Sequence, residues 1–136
     1  MRASFDHERL AVYQRALRFV AWADQILRSI PKSLAAHDQL DRASTSIPLN
    51  IAEGNGKFTP DDRCRFFDTA RGSALESAAC LDVLTAKNHV TQEQTAEGKA
   101  VLLEIVSMLV GLIKSNSQHR VFEEGEPYGN SANFRD

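Results

Sequence analysis

The chain has little of what secreted, membrane-bound or metal-dependent proteins are built from. It holds two cysteines in 136 residues. Cys64 and Cys80 fall within one predicted helix, where they cannot bridge each other, so free thiols and a reducing, cytoplasmic setting are expected. No apolar run approaches the ~20 residues of a membrane span, and the N-terminal MRASFDHERL is charged where a signal peptide turns apolar. No membrane is expected as a partner. No Glu is followed three residues later by His, the pair that a di-metal bundle requires. His7, His37, His89 and His119 are scattered at or beyond predicted helix ends, as helix-end and loop residues rather than metal ligands. Gly54-Asn55-Gly56-Lys57 lacks the Walker spacing and follows a helix instead of a strand, which makes it a cap and turn. No motif surrounds any Ser, His or Asp that could form a hydrolase constellation. An enzyme is therefore not expected, nor a catalytic residue, cofactor or metal. Charge of one sign is missing too: 16 basic residues stand against 18 acidic ones, a net charge of -2. Blanket attraction to nucleic acid is disfavoured, although a local basic patch is not excluded.

What is present is helical periodicity in a soluble globular composition, 43% hydrophobic and 25% charged. Residues Gln39 to Lys57 read QLDRASTSIPLNIAEGNGK. At 100° per residue Leu40, Ala43, Ile47 and Ile51 fall within roughly 80° of one another, and Gln39, Arg42, Ser46, Asn50 and Glu53 form a polar stripe beside them. Short, hydrogen-bonding side chains suit a satisfied network at a packed seam better than a solvated face. Glu76 on the next helix is the expected sixth member. Pro48 lies inside this helix and frees the carbonyl of Ser44, which Ser44, Ser46 or Asn50 could satisfy. A left-handed cap is expected at Gly54 or Gly56.

The preceding helix is predicted from an Asp6 cap to about Ser29, stopped by Pro31. It carries two apolar stripes, Leu10, Tyr13, Leu17, Val20 and Leu27, and Val12, Ala16, Phe19, Ala23, Ile26 and Ile30. Asp24 interrupts the first and is placed to pair with Arg28 or with a neighbouring helix. Thr59-Pro60-Asp61-Asp62 opens a third helix, with Thr as cap, Pro in the first turn and two acids at the positive end of the dipole. That helix is expected to turn Phe66, Phe67, Ala70, Ala74, Ala78, Leu81 and Leu84 inward. Its small-residue middle, including Gly72, invites close approach of a neighbour. Thr91 and Gln94 form a capping box for a fourth helix. There Leu103, Val106, Val110 and Ile113 form one stripe and Val101, Ile105, Met108 and Leu112 another.

Four amphipathic helices, short joints and no credible strand predict an all-α, antiparallel up-down-up-down four-helix bundle over residues 1–121, with a polar C-terminal tail over 122–136. Phe122 opens the tail, and Tyr128 and Phe134 could dock on a neighbour. The first and fourth helices carry more apolar surface than one bundle hides. Val101, Ile105, Met108, Leu112, Val12, Phe19 and Ile26 are the expected oligomer interface. Lys57, Arg63, Arg65 and Arg71 form the densest basic neighbourhood and are the candidate nucleic-acid contacts, although Asp61, Asp62 and Asp68 are interleaved with them.

Residues Gln39, Leu40, Arg42, Ala43, Ser46, Ile47, Pro48, Asn50, Ile51, Ala52, Glu53, Gly54 and Gly56 resemble the bacterial four-helix-bundle proteins encoded in intervening sequences of large-subunit ribosomal RNA genes. Ala70, Gly72, Ser73 and Glu76, and Leu112-Ile113-Lys114-Ser115, extend the likeness over about Leu10 to Ser117. That family is similar to the accessory variability proteins of diversity-generating retroelements, which implies a homopentameric barrel able to bind RNA and a reverse transcriptase. The combined expectation is a non-catalytic homo-oligomer acting as an assembly or adaptor module. The alternative is an RNA-binding accessory protein partnering a retroelement reverse transcriptase.

Overall fold

The computed structural model describes residues 4–117, and every regular element in that span is helical. A short 3-10 turn, Asp6–Arg9, precedes α1 (Ala11–Arg28), α2 (Ala35–Asn55), α3 (Pro60–Ala86) and α4 (Gln92–Asn116). Asp6 therefore does not cap the first long helix. Leu10, extended at ψ 126, interrupts the chain after Arg9, and α1 begins one residue later without a side-chain cap. The other two starts follow the sequence signals. The Thr59 hydroxyl accepts from the Asp62 amide at 3.2 Å, with Pro60 in the first turn. Thr91 and Gln94 bond each other's backbone amides as a capping box.

Cross-helix pairs show the topology. Between α3 and α4, Cys64 meets the carbonyl of Ile113, Asp82 meets Lys99 and Thr85 meets Thr95, so one number falls as the other rises. Arg15 with Glu104 and Trp22 with Glu97 run the same way between α1 and α4. Ser46–Ser73 and Gly54–Phe66 do so between α2 and α3, and Asp6–Asn55 and Leu27–His37 along the α1–α2 side. Each helix touches its two neighbours in the ring α1, α2, α3, α4, an antiparallel bundle in which α1 lies diagonal to α3.

One stripe from each helix fills the centre. Phe19, Leu40, Ile47, Ile51, Phe67, Leu81, Leu84, Ile105 and Leu109 are wholly buried, and each contributes roughly 1.5–3 kcal/mol by leaving water. In α1 the whole Val12-to-Ile30 stripe is buried, whereas Leu17 of the other stripe is exposed. In α4 the core face is Leu102, Ile105, Leu109 and Ile113. This combines Ile113 of one expected stripe and Ile105 of the other with Leu102 and Leu109, which lie between the two stripes, because the α1 and α3 grooves meet over those four positions. Phe66 and Ala78 of α3 are only half-buried.

Glycine positions differ from expectation in an informative way. At the end of α2, Gly56 is right-handed (φ -85), not left-handed. The left-handed residue is Asn88 (φ 64), after α3. Gly54 is there for packing: a Cβ would lie 2.9 Å from the Phe66 Cβ. Gly98 likewise lies under Trp22, whose ring an added methyl would overlap. Gly72, expected at a close approach, has nothing within 4 Å. Replacing it with Ala should therefore stabilise the isolated chain by about 0.5–1 kcal/mol through helix propensity. A rise in the urea midpoint is the expected reading; a fall would mean that a second molecule packs there.

Candidate functional site

The α2–α3 seam carries the polar stripe. Asn50 donates its amide to both the carbonyl and the hydroxyl of Ser46, each at 2.9 Å. Ser73 donates to the Ser46 hydroxyl at 2.8 Å, and Ser77 donates to the Ser73 carbonyl at 2.9 Å. A chain of short polar groups thus stitches two helices together, as the residue types suggested. Only part of the predicted network joins it. Gln39, Arg42, Glu53 and Glu76 are exposed. Arg42 reaches Asp38 at 3.6 Å and Glu53 reaches Lys57 at 3.9 Å, both one helical turn away. Their longer arms extend past the seam to water, so they wall grooves instead of closing a buried network. One groove of about 520 Å³ is lined by Asp38, Gln39, Arg42, Ala43, Ser46, Ser73 and Glu76. Its neighbour on the outer side of α2 is lined by Asp41, Arg42, Thr45, Ser46, Leu49, Asn50 and Glu53. Asn50 serves Ser46 rather than the Ser44 carbonyl beneath Pro48, and Ser44 itself donates to Asp41.

The basic neighbourhood is drawn apart. Arg63 is a structural tie: it donates to the Asn55 carbonyl at 2.7 Å, the Lys57 carbonyl at 3.3 Å and Asn116 at 2.9 Å, with its guanidinium over Phe67. It therefore holds the ends of α2 and α4 against α3, a correction to its reading as a nucleic-acid contact. Arg65 pairs with Asp62 at 2.9 Å and Arg71 with Asp68 at 3.1 Å. Lys57 lies near Glu53 and over the Phe66 ring. The interleaved acids take up these cations, so the face presents no concentrated positive charge. The exposed aromatic between them is Phe58, which no side-chain pattern had singled out because it sits alone in a turn.

The outward surfaces also depart from expectation. Val12, Phe19, Ile26 and Ile105 lie inside the chain's own core and cannot meet a second molecule. Val101, Met108 and Leu112 are half-buried against that core. The large apolar residues left in water are Leu17, Leu49, Leu75, Val83 and Leu103, with Phe5 and Phe58. The tail residues Phe122, Tyr128 and Phe134, the boundary at 121 and His119 lie outside the described residues.

Little reactive chemistry is gathered among the described residues. No group of three His, Cys, Asp or Glu side chains able to hold a metal occurs among the described residues. Burial, and secondarily the charge of Glu76, push the Cys80 thiol up from its ordinary range, away from the reactive thiolate. Glu104 is held below the usual carboxylate range, first by its hydrogen bond from Arg15. Asp24 pairs with Arg28 at 2.8 Å, the helical ion pair that was one of its two expected arrangements. No helix among the described residues is long and apolar enough to cross a membrane.

Comparison with known proteins bears on the fold and the family. A solved structure with the same fold is that of a protein of unknown function from the S23 ribosomal protein family of Bacteroides thetaiotaomicron VPI-5482. It is 24% identical, covers 76% of this chain and 99% of its own, and superposes with a TM-score of 0.72. No curated protein matches the chain. The profile of the 23S rRNA-intervening sequence proteins matches residues 8–111, which include the hydrogen-bonded α2–α3 seam and most of α4. The chain belongs to the 23S rRNA-intervening sequence protein family.

Proposed function

We propose that this protein is a non-catalytic, self-assembling bundle that serves as an assembly or adaptor module. The observation that carries the reading is the uncovered apolar surface of α4. Between Ala100 and Ile113 its sequence is AVLLEIVSMLVGLI, with Glu104 the one charged residue. Yet Leu102, Ile105, Leu109 and Ile113 alone are buried there. Leu103 is 70% exposed, and Val101, Val106, Met108, Val110 and Leu112 are only partly covered. A solvated helix face normally carries charged residues, and apolar side chains left partly in water along both flanks of the buried face support a protein interface there. Leu103→Asp and Met108→Asp should each lower the mass measured by light scattering while leaving the helical signal intact. A wild-type chain that stays monomeric on concentration would refute the assembly reading.

A further inference from the structure

The two ends of the bundle differ in what they leave in water. At one end the α1–α2 and α3–α4 joints, residues 29–34 and 87–91, hold no Phe, Tyr or Trp. At the other end stand the exposed aromatic rings of the described residues, Phe5 at 72% and Phe58 at 100%. Asp6, next to Phe5, accepts from Asn55 at 2.9 Å, and Phe58 lies in the turn between α2 and α3. Half-buried Phe66 is at this end too, with the Lys57 ammonium 5.0 Å from its centroid. Phe58 itself enters no ring pair or cation contact among the described residues. A turn is served by small or polar residues, and a phenyl ring there gains nothing until something covers it.

The chain leaves the described span from this same end. Helix α4 closes at Asn116, whose side chain accepts from Arg63 at 2.9 Å. The same guanidinium donates to the carbonyl of Lys57, next to Phe58, at 3.3 Å. One side chain therefore bridges the point where residues 118–136 begin and the turn that carries Phe58. Those residues include Phe122, Tyr128 and Phe134. An extended chain covers about 3.4 Å per residue, so the stretch from Ser117 to Phe122 spans up to roughly 17 Å, more than a helix diameter. Of the three rings Phe122 has the shortest tether, and hence the highest effective concentration at the turn. Charge does not choose the occupant, because both signs crowd this end: Arg9, Lys57, Arg63, Arg65 and Lys114 against Asp6, Glu8, Glu53, Asp61 and Asp62. The tether and the ring do.

We propose that the C-terminal segment beyond α4 folds back over this end of its own chain and seats Phe122 against Phe58. The occupant is the chain's own segment because it starts one guanidinium away from the turn, carries an aromatic ring within reach of it, and is held at this end by the backbone. The contact joins parts of one molecule and does not depend on self-assembly.

Because the bundle leaves Phe58 wholly in water, Phe58→Ala should keep the helices intact, which circular dichroism verifies. Amide hydrogen exchange of the 136-residue chain at residues 119–124, followed by NMR, reads the docking. In the wild type these amides should exchange at least about tenfold more slowly than in a synthetic peptide of residues 118–136, and Phe58→Ala should abolish the difference. Phe122→Ala, compared with a peptide carrying the same substitution, should do likewise; the double variant should go no further, and Phe134→Ala should leave the protection in place. Exchange as fast as the peptide's in the wild type would overturn the proposal. So would protection that survives Phe58→Ala, which would place the segment elsewhere. Protection that grows with protein concentration would assign the ring to a second copy, and that too would overturn it.

Discussion

Ile105→Asp is expected to unfold the chain rather than to separate its copies. Ile105 is wholly buried on the core stripe of α4, between Leu102 and Leu109. The substitution removes a packed aliphatic side chain, at about 2–5 kcal/mol, and puts a carboxyl group where no polar partner faces it, at about 1–3 kcal/mol more. Together these approach the 5–15 kcal/mol that holds a domain of this size folded. The helical circular-dichroism signal should collapse, and no cooperative urea transition should remain. Leu103→Asp, two positions earlier on the same helix but in water, should keep both. A cooperatively melting Ile105→Asp chain with reduced mass would put that residue at an outer surface and reverse the assignment of α4's faces.

Arg63→Ala should be the most damaging change to a charged residue. Its guanidinium fork satisfies the carbonyls that α2 leaves open at its end and reaches Asn116 in the last turn of α4. Hydrogen bonds to a charged donor contribute about 1.5–3 kcal/mol and several act here as a unit, so a loss of roughly 2–3 kcal/mol is expected. Arg63→Lys should recover only part, because one ammonium cannot span acceptors on two helices. Arg65→Ala, which breaks an exposed pair with Asp62, should cost about 0.5 kcal/mol or less. Urea midpoints for the three variants check the order. Faster amide exchange at residues 55–57 and 113–116 in Arg63→Ala would locate the damage at the tied ends. Equal midpoints for Arg63→Ala and Arg65→Ala would show that the tie is not structural.

The two arginines illustrate how far a one-dimensional reading reaches. Both sit in the run Asp61-Asp62-Arg63-Cys64-Arg65, and spacing alone makes both part of a basic patch. Two residues along a helix is a rotation of 200°, which turns Arg63 toward the joined ends of α2 and α4 and leaves Arg65 in water. The polar stripe divided for a related reason. Ser46 and Asn50 have arms short enough to bond within the seam, while Gln39, Arg42 and Glu53 on the same stripe extend past it. Asn50 and Ser46 were thus legible as network members by residue type, but Ser73, which supplies the bond across the seam, was not among the expected members, and the place of each longer side chain was not legible either.

Local rules were enough wherever the interaction is local. The Thr59 and Thr91 caps, the Asp24–Arg28 pair, the helical class of every long segment and the burial of Leu40, Ile47 and Ile51 follow from neighbours within about a turn, which the chain itself specifies. Which side of α4 is dry, why Gly54 and Gly98 must lack a side chain, and where the surplus apolar surface lies depended on the docking of three other helices. An apolar arc wider than half a cylinder has no single centre until neighbours select one. In α4 the grooves of α1 and α3 meet over Leu102, Ile105, Leu109 and Ile113, and that meeting left Leu103 in water.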